Sequence, residues 1–212
     1  MLILGINTVA DACEAALVRD GVVVAELSEP MQQGHDARLA PVVEKLMRES
    51  GTTFAALDRI AIVVGPGSFT GVRVGVAFAR GLALSLDKPA VGVTSLEALD
   101  NLPREGRVLA LLPAKRRPPE RTWWGQLIVE GSGATDPFEA AQADLQSLVR
   151  DIDVICGGLA DIPDLGRQSV SAVPSAKAAA IFAARLSEGD LPPPRPVYVR
   201  EPDATPMRPV GQ

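Results

Sequence analysis

The order of strand-like and helix-like segments in the first hundred residues limits the possible folds of this chain more than any other feature. Three strand-like segments come first, and an Asp20-Gly21 pair separates the second from the third. Such a pair favours a tight hairpin, because both central residues of a type I′ turn have positive φ. Helix-like and strand-like segments then alternate in the order α-β-α-β-α. Strands joined through helices run parallel and hairpin strands run antiparallel, so the sequence predicts a mixed five-stranded sheet with helices.

This element order is that of the ribonuclease-H-like half-domain shared by actin, sugar kinases and heat-shock ATPases. We therefore expect an α/β, actin-like ATPase fold whose N-terminal lobe comprises residues 1–104 and ends in a short helix over 95–102. Residues 105–190 are too few for a second full copy, so they predict a smaller, degenerate C-terminal α/β lobe, with one helix over 136–151. The proline-rich residues 191–212 predict an extended tail.

Composition and charge exclude several classes of protein. With 47% apolar residues the chain can bury a core, and its net charge of −5 argues against binding a polyanion by itself. No unbroken apolar run reaches the roughly 18 to 20 residues that span a bilayer, and the N-terminus lacks the basic flank of a signal peptide. We therefore expect a cytoplasmic protein that does not enter a membrane. The basic cluster of Lys115, Arg116, Arg117 and Arg121 favours a solvated loop over a weak nucleic-acid patch.

Histidine and cysteine limit the chemistry that this chain can perform. His35 is the only histidine, which excludes a histidine-rich metal site and leaves a single candidate base for a Ser-His-Asp or Cys-His mechanism. Its neighbour Asp36 has the character of a helix N-cap, so a local capping or packing role for His35 is favoured over catalysis. Cys13 and Cys156 lie far apart in the sequence and indicate two reduced, packed thiols.

The segment GPGSFTGVRVGVAFARGLALSL, residues 65–86, begins with closely spaced glycines and continues as a helix. It lacks the lysine of a GxxxxGK[ST] phosphate loop, and its glycine spacing differs from GxGxxG. The residues instead predict a helix cap in which Ser68 or Thr70 accepts from free backbone N–H groups, with a secondary anion site at those groups as the alternative. The helix is apolar nearly all round, which predicts that a partner protein covers part of it. Small residues recur along it at every fourth position: Gly71, Gly75, Ala79 and Ala83.

Several segments together resemble one protein family. They are GPGSFTGVRVGVAFARGLAL, KPAVGVTSLEAL, the N-terminal ILGINT, HDARLAP at the first helix and the late PVYVREPDA. They are similar to the bacterial TsaB (YeaZ) family over most of residues 1–100 and over 197–204. The resemblance implies a non-catalytic subunit. In that family TsaB pairs with the catalytic subunit TsaD, and with the ATPase TsaE, in the complex that attaches N6-threonylcarbamoyl to adenosine 37 of tRNAs reading ANN codons.

The resemblance also implies where the chain meets its partners. Pairing in the family, with TsaD or with a second copy as a homodimer, uses the first two helices, here residues 36–50 and 70–86. It implies that the chain reaches tRNA only through the complex and requires no cofactor or metal of its own, while ATP or ADP is expected at the interface with the partner. The implied interface residues are Leu39, Val43, Leu46, Met47, Phe69, Val72, Arg73, Gly75, Val76 and Ala79.

The end of the first strand departs from the pattern of the relatives. Actin-like ATPases and many TsaB relatives have an aspartate there, whereas this chain has Asn7 followed by Thr8. Asparagine keeps an acceptor but loses the charge that holds Mg²⁺, which disfavours independent ATP hydrolysis. Asn7 and Thr8 are nevertheless the candidate nucleotide-binding residues. The alternative function is a stand-alone actin-like ATPase or small-molecule kinase that holds phosphates with Asn7, Thr8 and the pair Gly157-Gly158.

Overall fold

The first β-sheet has the mixed strand order that the sequence predicts. The computed structural model describes residues 1–114, 121–158 and 164–199. The elements in chain order are β1 Leu2–Asn7, β2 Ala12–Arg19, β3 Val22–Pro30, α1 His35–Glu49, β4 Arg59–Val63, α2 Phe69–Leu86, β5 Ala90–Val93, β6 Arg107–Ala114, β7 Thr122–Val129, β8 Ser132–Gly133, β9 Phe138–Ala141, α3 Gln142–Leu148, β10 Val154–Gly157, β11 Gln168–Ser171 and α4 Ala176–Ala183. The first sheet runs β3-β2-β1-β4-β5, with antiparallel pairs among β1 to β3 and with β4 and β5 parallel to β1. Asp20 and Gly21 have φ angles of 51° and 80°, as a type I′ turn requires.

The second sheet runs β11-β10-β6-β7-β8, and β9 pairs with β7 outside this order. The helix predicted over 136–151 is therefore only partly correct. Residues 138–141 form β9, which pairs antiparallel with residues 122–125 of β7, and the helix α3 begins only after this strand. Pairing with a neighbouring strand, which no local pattern reveals, decides the conformation of this segment.

Helices cover both faces of the first sheet. Gly5 of β1 pairs with Ala61 of β4, so these residues point to one face of the sheet and Ile62 points to the other. A Cβ atom at Gly5 would overlap the carbonyl oxygen of Ala176, so α4 packs on the Gly5 face. A Cβ atom at Gly75 of α2 would lie 2.8 Å from Ile62 Cδ1, so α2 packs on the opposite face, in contact with α1.

The helix α4 returns from the second lobe to the first. Four of its five buried residues belong to the same core cluster as the first sheet, and they are Ala179, Ala180, Phe182 and Ala183. The sequence assigned this helix to the C-terminal lobe of residues 105–190, and that assignment is wrong. The helix completes the N-terminal lobe, which was predicted to end at residue 104. The β-strands of the second sheet, which run from residue 107 to residue 171, do lie within the predicted lobe.

The short helix predicted over residues 95–102 is wrong, since residues 95–98 form turns. The segment that leads into α4 passes beside residues 95–102 and forms hydrogen bonds with their backbone N–H and C=O groups. Asp100 N donates to Val173 O at 2.9 Å, and Ser175 N donates to Ala98 O at 3.0 Å. Hydrogen bonds to a distant segment thus override the local helix propensity.

Among the described residues, α2 is one helix that could cross a membrane by length and composition alone. It has 18 residues and a mean hydropathy of 1.3, and 33% of it is buried. The sequence predicts no membrane-spanning segment because it has no unbroken apolar run of that length, and Arg73 and Arg80 interrupt the apolar run of α2. The buried side of α2 packs on the first sheet.

Candidate functional site

The glycines between β4 and α2 make room for the protein's own backbone. A Cβ atom at Gly65 would lie 2.7 Å from Val197 O, and one at Gly67 would lie 2.8 Å from Val9 O. A Cβ atom at Gly71 would overlap the carbonyl oxygen of Thr8 outright. Larger residues at Gly67 and Gly71 would therefore separate α2 from the end of β1, and a larger residue at Gly65 would clash with the tail. The glycine pattern serves close packing of the loop.

The cap predicted for α2 is confirmed. Ser68 is the N-cap residue, and its Oγ accepts from Gly71 N at 3.2 Å. Ser68 N itself donates to Val9 O at 3.0 Å, and Val72 N donates to Ser68 O at 2.8 Å. Gly71 N and Val72 N are thus bonded within the chain, and the alternative of an anion site at this loop stays a prediction.

Asn7 and Thr8 lie together at the end of β1, but both side chains are completely buried. Asn7 Nδ2 donates to Glu14 Oε2 at 2.9 Å and to Pro174 O at 3.1 Å, and its Oδ1 accepts from Val9 N at 3.1 Å. Thr8 Oγ1 donates to Gly71 O at 2.7 Å. These polar atoms are bonded within the protein, so neither side chain presents a free group to a nucleotide phosphate.

Gly157, which was proposed to help hold phosphates in the alternative function, ends β10. Its carbonyl oxygen accepts a hydrogen bond from Ala172 N at 2.8 Å, so Gly157 holds the segment that follows β11. A turn out of the strand accounts for the glycine pair at this position.

Eight of the ten predicted interface residues are buried inside this chain, which corrects their assignment. They are Leu39, Val43, Leu46, Met47, Val72, Gly75, Val76 and Ala79. The stripe of small residues on α2 does permit a close approach, but to Thr8 and Ile62 of the same chain. Sequence periodicity could not show which side of an apolar helix faces the sheet. Only Phe69 and Arg73 of the ten reach the surface.

The opposite side of α2 is mainly apolar and faces outward. We call it the outer α2 face; its apolar positions are Val74, Ala77, Phe78, Gly81, Leu82 and Leu84, and the exposed polar residues Thr70 and Ser85 lie within the same arc. At 100° per residue these positions span about 160° of the helix surface. Leu84 is 85% exposed, the highest value among the large apolar residues of the described chain. A Cβ atom at Gly81 would meet no atom within 4 Å, so nothing in the described chain requires a glycine there.

An aromatic and cationic cluster borders the outer α2 face at the N-terminal end of the helix. The ring centroids of Phe69 and Tyr198 lie 5.1 Å apart, and Arg73 contacts both side chains. Tyr198 arrives on the extended tail, which is fixed to the first sheet where Val197 N donates to Val64 O at 2.8 Å. Residues 191–199 form no helix or strand, and the remaining tail lies outside the described residues. The role of Tyr198 was missed because no local pattern shows where a tail docks.

Comparison with known proteins shows which proteins this chain is similar to. The family model of TsaD, tRNA N6-adenosine threonylcarbamoyltransferase, matches residues 22–117, which include α1 and α2. The chain is 34% identical over 182 residues to the tRNA threonylcarbamoyladenosine biosynthesis protein TsaB of Escherichia coli, covering 80% of this chain and 77% of that protein. The chain belongs to the TsaB family. Membership of the TsaB family supports a role in tRNA threonylcarbamoyladenosine biosynthesis.

Solved structures agree with the TsaB family assignment and with the predicted fold. YeaZ from Pseudomonas aeruginosa superposes with a TM-score of 0.69 at 26% identity, covering 93% of this chain and 99% of that one. The ROK hexokinase of Thermus thermophilus superposes with a TM-score of 0.55 at 15% identity, covering 87% and 97% of the two chains. The hexokinase shows the fold alone. The actin-like, ribonuclease-H-like fold is thereby confirmed for this TsaB family member.

His35 lies at the start of α1 and is 5% exposed. Gly34, with φ 88°, occupies the N-cap position, and Asp36 lies in the first turn, so the predicted N-cap role of Asp36 is wrong. Within the part of the chain that the structure describes, His35 Nε2 has no hydrogen-bond partner. Its burial agrees with a packing role in this TsaB family member.

Both thiols are buried and reduced. Burial is the main cause that raises the pKa of Cys13 to about 11 and that of Cys156 to about 12. Both groups are therefore protonated near neutral pH, which makes them poor nucleophiles. Of the basic cluster, Lys115, Arg116 and Arg117 lie outside the described residues, and Arg121 is exposed just before β7.

Proposed function

We propose that this chain is the non-catalytic subunit of the cytoplasmic tRNA threonylcarbamoyladenosine complex, in which it pairs with and activates TsaD and is joined by TsaE. In this proposal the outer α2 face, with the adjoining exposed side of α1, is the surface that pairs with TsaD. The chain reaches tRNA only within the complex. It requires no cofactor of its own, and ATP or ADP binds at the interface with the partner.

The outer α2 face is the observation that carries the proposal. Exposed apolar surface is costly in water, and a contiguous apolar patch of this kind is typical of protein interfaces. Phe78 and Leu82 are partly buried against the core of the chain, and Leu84 is 85% exposed. Gly81 in the middle of the patch costs about 1 kcal/mol of helix stability relative to alanine. A partner helix that approaches closely at Gly81 would account for the glycine.

The nature of the partner is argued from the shared lobe. Because the TsaD family model matches residues 22–117, TsaD carries a lobe similar to the one that presents α1 and α2 here. Two similar lobes can bury the same helix faces against each other with approximate twofold symmetry, as in isologous pairing. The same geometry permits a homodimer of this chain when TsaD is absent.

The non-catalytic assignment rests on what the candidate reactive groups do in the fold. Asn7 and Thr8 bond within the chain, and both thiols are protonated. His35, the only histidine of the sequence, is buried at a helix start. The geometry therefore favours an activating subunit over the stand-alone ATPase or kinase.

Reconstitution tests the proposal directly. Purified TsaD, TsaE and the synthase of the threonylcarbamoyl-adenylate intermediate are incubated with unmodified tRNA, and modified adenosine is measured by mass spectrometry of nucleosides. We expect modification only when this chain is added, and none when this chain is incubated with tRNA and the intermediate alone. Full modification in the mixture that lacks this chain would contradict the activating role, and modification by this chain alone would contradict the non-catalytic one.

A further inference from the structure

A cleft beside α4 carries charges that the proposed function does not use. It encloses about 440 Å³ between α4, the turn that contains residues 99–104, and Val23 of β3. Lys177 and Ile181 lie one helical turn apart on its wall, and Arg185 follows just after α4. The volume lies within the range of about 300 to 1,000 Å³ that is typical of small-molecule pockets. The cleft lies on the α4 side of the first sheet, away from α1 and α2.

Arg104 and Arg185 form a cationic end of this cleft. The backbone of Arg104 and the guanidinium group of Arg185 lie against the turn at Gly131, where a Cβ atom would sit 3.2 Å from Arg104 O and 3.3 Å from Arg185 Nη1. Among residues 1–114, 121–158 and 164–199, neither guanidinium has an ion-pair or hydrogen-bond partner. Burial, and then the charge of Arg104, lower the pKa of Arg185. Two guanidinium groups that line one cleft can offer the forked donors that bind phosphate oxygens.

Another part of the cleft carries Asp100 and Lys177, and this limits the kind of ligand. Asp100 Oδ1 accepts from Ser175 Oγ at 2.5 Å, and Lys177 Nζ lies 3.3 Å from Glu26 Oε2. Glu97 also lines the cleft, beside Gly133, which lies two residues from the turn at Gly131, and burial raises the pKa of its carboxyl group. A polyanion lying along the cleft would bring phosphates against these carboxylates. A small molecule with one anionic end and hydrogen-bond donors at the other fits both ends.

We propose that this cleft binds a phosphate-bearing small molecule, with the phosphate between Arg104 and Arg185 and with hydroxyl or amino donors directed toward Asp100. The site goes beyond the proposed function, since it needs neither TsaD nor tRNA. Its test uses the isolated full-length chain, so the outcome does not depend on whether the chain pairs with TsaD.

Isothermal titration calorimetry with inorganic pyrophosphate and with ADP tests the site at roughly physiological ionic strength. We expect saturable binding with one site per chain for at least one of the two probes, which separates a simple polyphosphate ligand from a nucleotide. Arg104→Gln and Arg185→Gln should each weaken this binding about tenfold or more, because each removes charge-assisted hydrogen bonds. Arg185→Lys should recover only part of it, since an ammonium group lacks the fork. Arg150→Gln removes one exposed charge near α3 and is the matched control, with unchanged affinity.

Thermal unfolding of each variant confirms that it is folded before its affinity is compared. Absence of saturable binding by both probes would overturn the proposal, as would an equal loss of affinity in Arg150→Gln. A third arm adds a tRNA anticodon stem-loop as competitor. Failure of this RNA to displace the probe supports the small-molecule assignment. Displacement that depends on Arg104 and Arg185 would overturn it in favour of a nucleic-acid contact.

Discussion

The guanidinium carbon of Arg73 lies 3.7 Å from the centroid of the Phe69 ring, and the Nε of the same side chain donates to the Tyr198 hydroxyl at 3.1 Å. This contact joins the first two turns of α2 to a tail that is 125 residues away in the sequence. It places a cation and two aromatic rings at the border of the outer α2 face. The tail and the proposed docking helix are therefore coupled in the isolated chain.

Tyr198→Ala should release the tail from α2. The substitution removes both the ring contact with Phe69 and the acceptor for Arg73, and such contacts contribute about 0.5 to 1.5 kcal/mol each before screening by solvent. Hydrogen exchange of the Val197 amide, which bonds to Val64 O, should become faster. Tyr198→Phe keeps the ring and should show a smaller effect. Exchange at Val197 that is identical in all three proteins would show that the cluster does not hold the tail.

Alanine substitution at two glycines of α2 should change stability in opposite directions. Gly71→Ala drives a methyl group into the Thr8 carbonyl, so we expect a loss of about 2 kcal/mol or more in the free energy of unfolding. Gly81→Ala meets no atom and should stabilise the isolated chain by about 0.5 to 1 kcal/mol, because it removes a helical glycine. Urea unfolding measures both values. The packing interpretation of the glycine-rich segment fails if Gly71→Ala is as stable as the wild type.

Asn7→Asp should destabilise the protein instead of creating a magnesium site. Asn7 Nδ2 donates to Glu14 Oε2 and Pro174 O, and a carboxylate at this position would lose both bonds and repel Glu14. We expect a loss of about 2 kcal/mol near pH 7. Like-charge repulsion raises the pKa of the pair, so protonation should restore part of the stability relative to the wild type near pH 5. Tight Mg²⁺-ATP binding by this variant, measured by calorimetry, would instead favour the stand-alone ATPase.

The buried thiols should make the protein less stable at alkaline pH. The pKa of Cys13 is raised from its ordinary value of 9.0 to about 11, so above pH 9 the unfolded chain loses a thiol proton that the folded chain keeps. Stability from this group is thus fully present below pH 9 and falls as the pH rises through about 11. The urea concentration at the unfolding midpoint of the wild type should be lower at about pH 10.5 than at about pH 8, since these two pH values lie above and below the ordinary thiol pKa. Cys13→Ala, compared with itself at the two pH values, should show a smaller fall; an equal fall would remove Cys13 as a cause.

The sequence predicted those parts of the fold that depend on local chemistry. Asp20 and Gly21 specify their turn through φ alone, and Ser68 caps α2 through a bond within one helical turn. The sequence could not predict features that depend on distant contacts, such as β9 pairing with β7, the return of α4 to the first sheet, or the loss of the helix over 95–102.

The candidate interface shows the same limit more sharply. The sequence identified α2 as a helix with more apolar surface than one sheet covers, but an all-round apolar pattern does not show which side faces inward. Gly75 and Val76 are among the interface residues that the resemblance implies, so Val76→Arg and Gly75→Leu would be expected to weaken pairing and leave a folded monomer. Because Val76 is 4% exposed and Gly75 lies against Thr8 and Ile62, both substitutions should instead disrupt folding. Variants that test pairing belong on the outer α2 face.

Sedimentation velocity of the chain mixed with TsaD, with Leu84→Glu as the variant, tests the central claim most directly. Leu148→Glu on α3 is the matched control, since it places the same charge at an exposed leucine of another helix. We predict a complex with TsaD for the wild type and for Leu148→Glu, and at least about tenfold weaker association for Leu84→Glu, as expected for a charge inside an apolar interface. A complex with TsaD that is equally stable in both variants would contradict pairing through the outer α2 face.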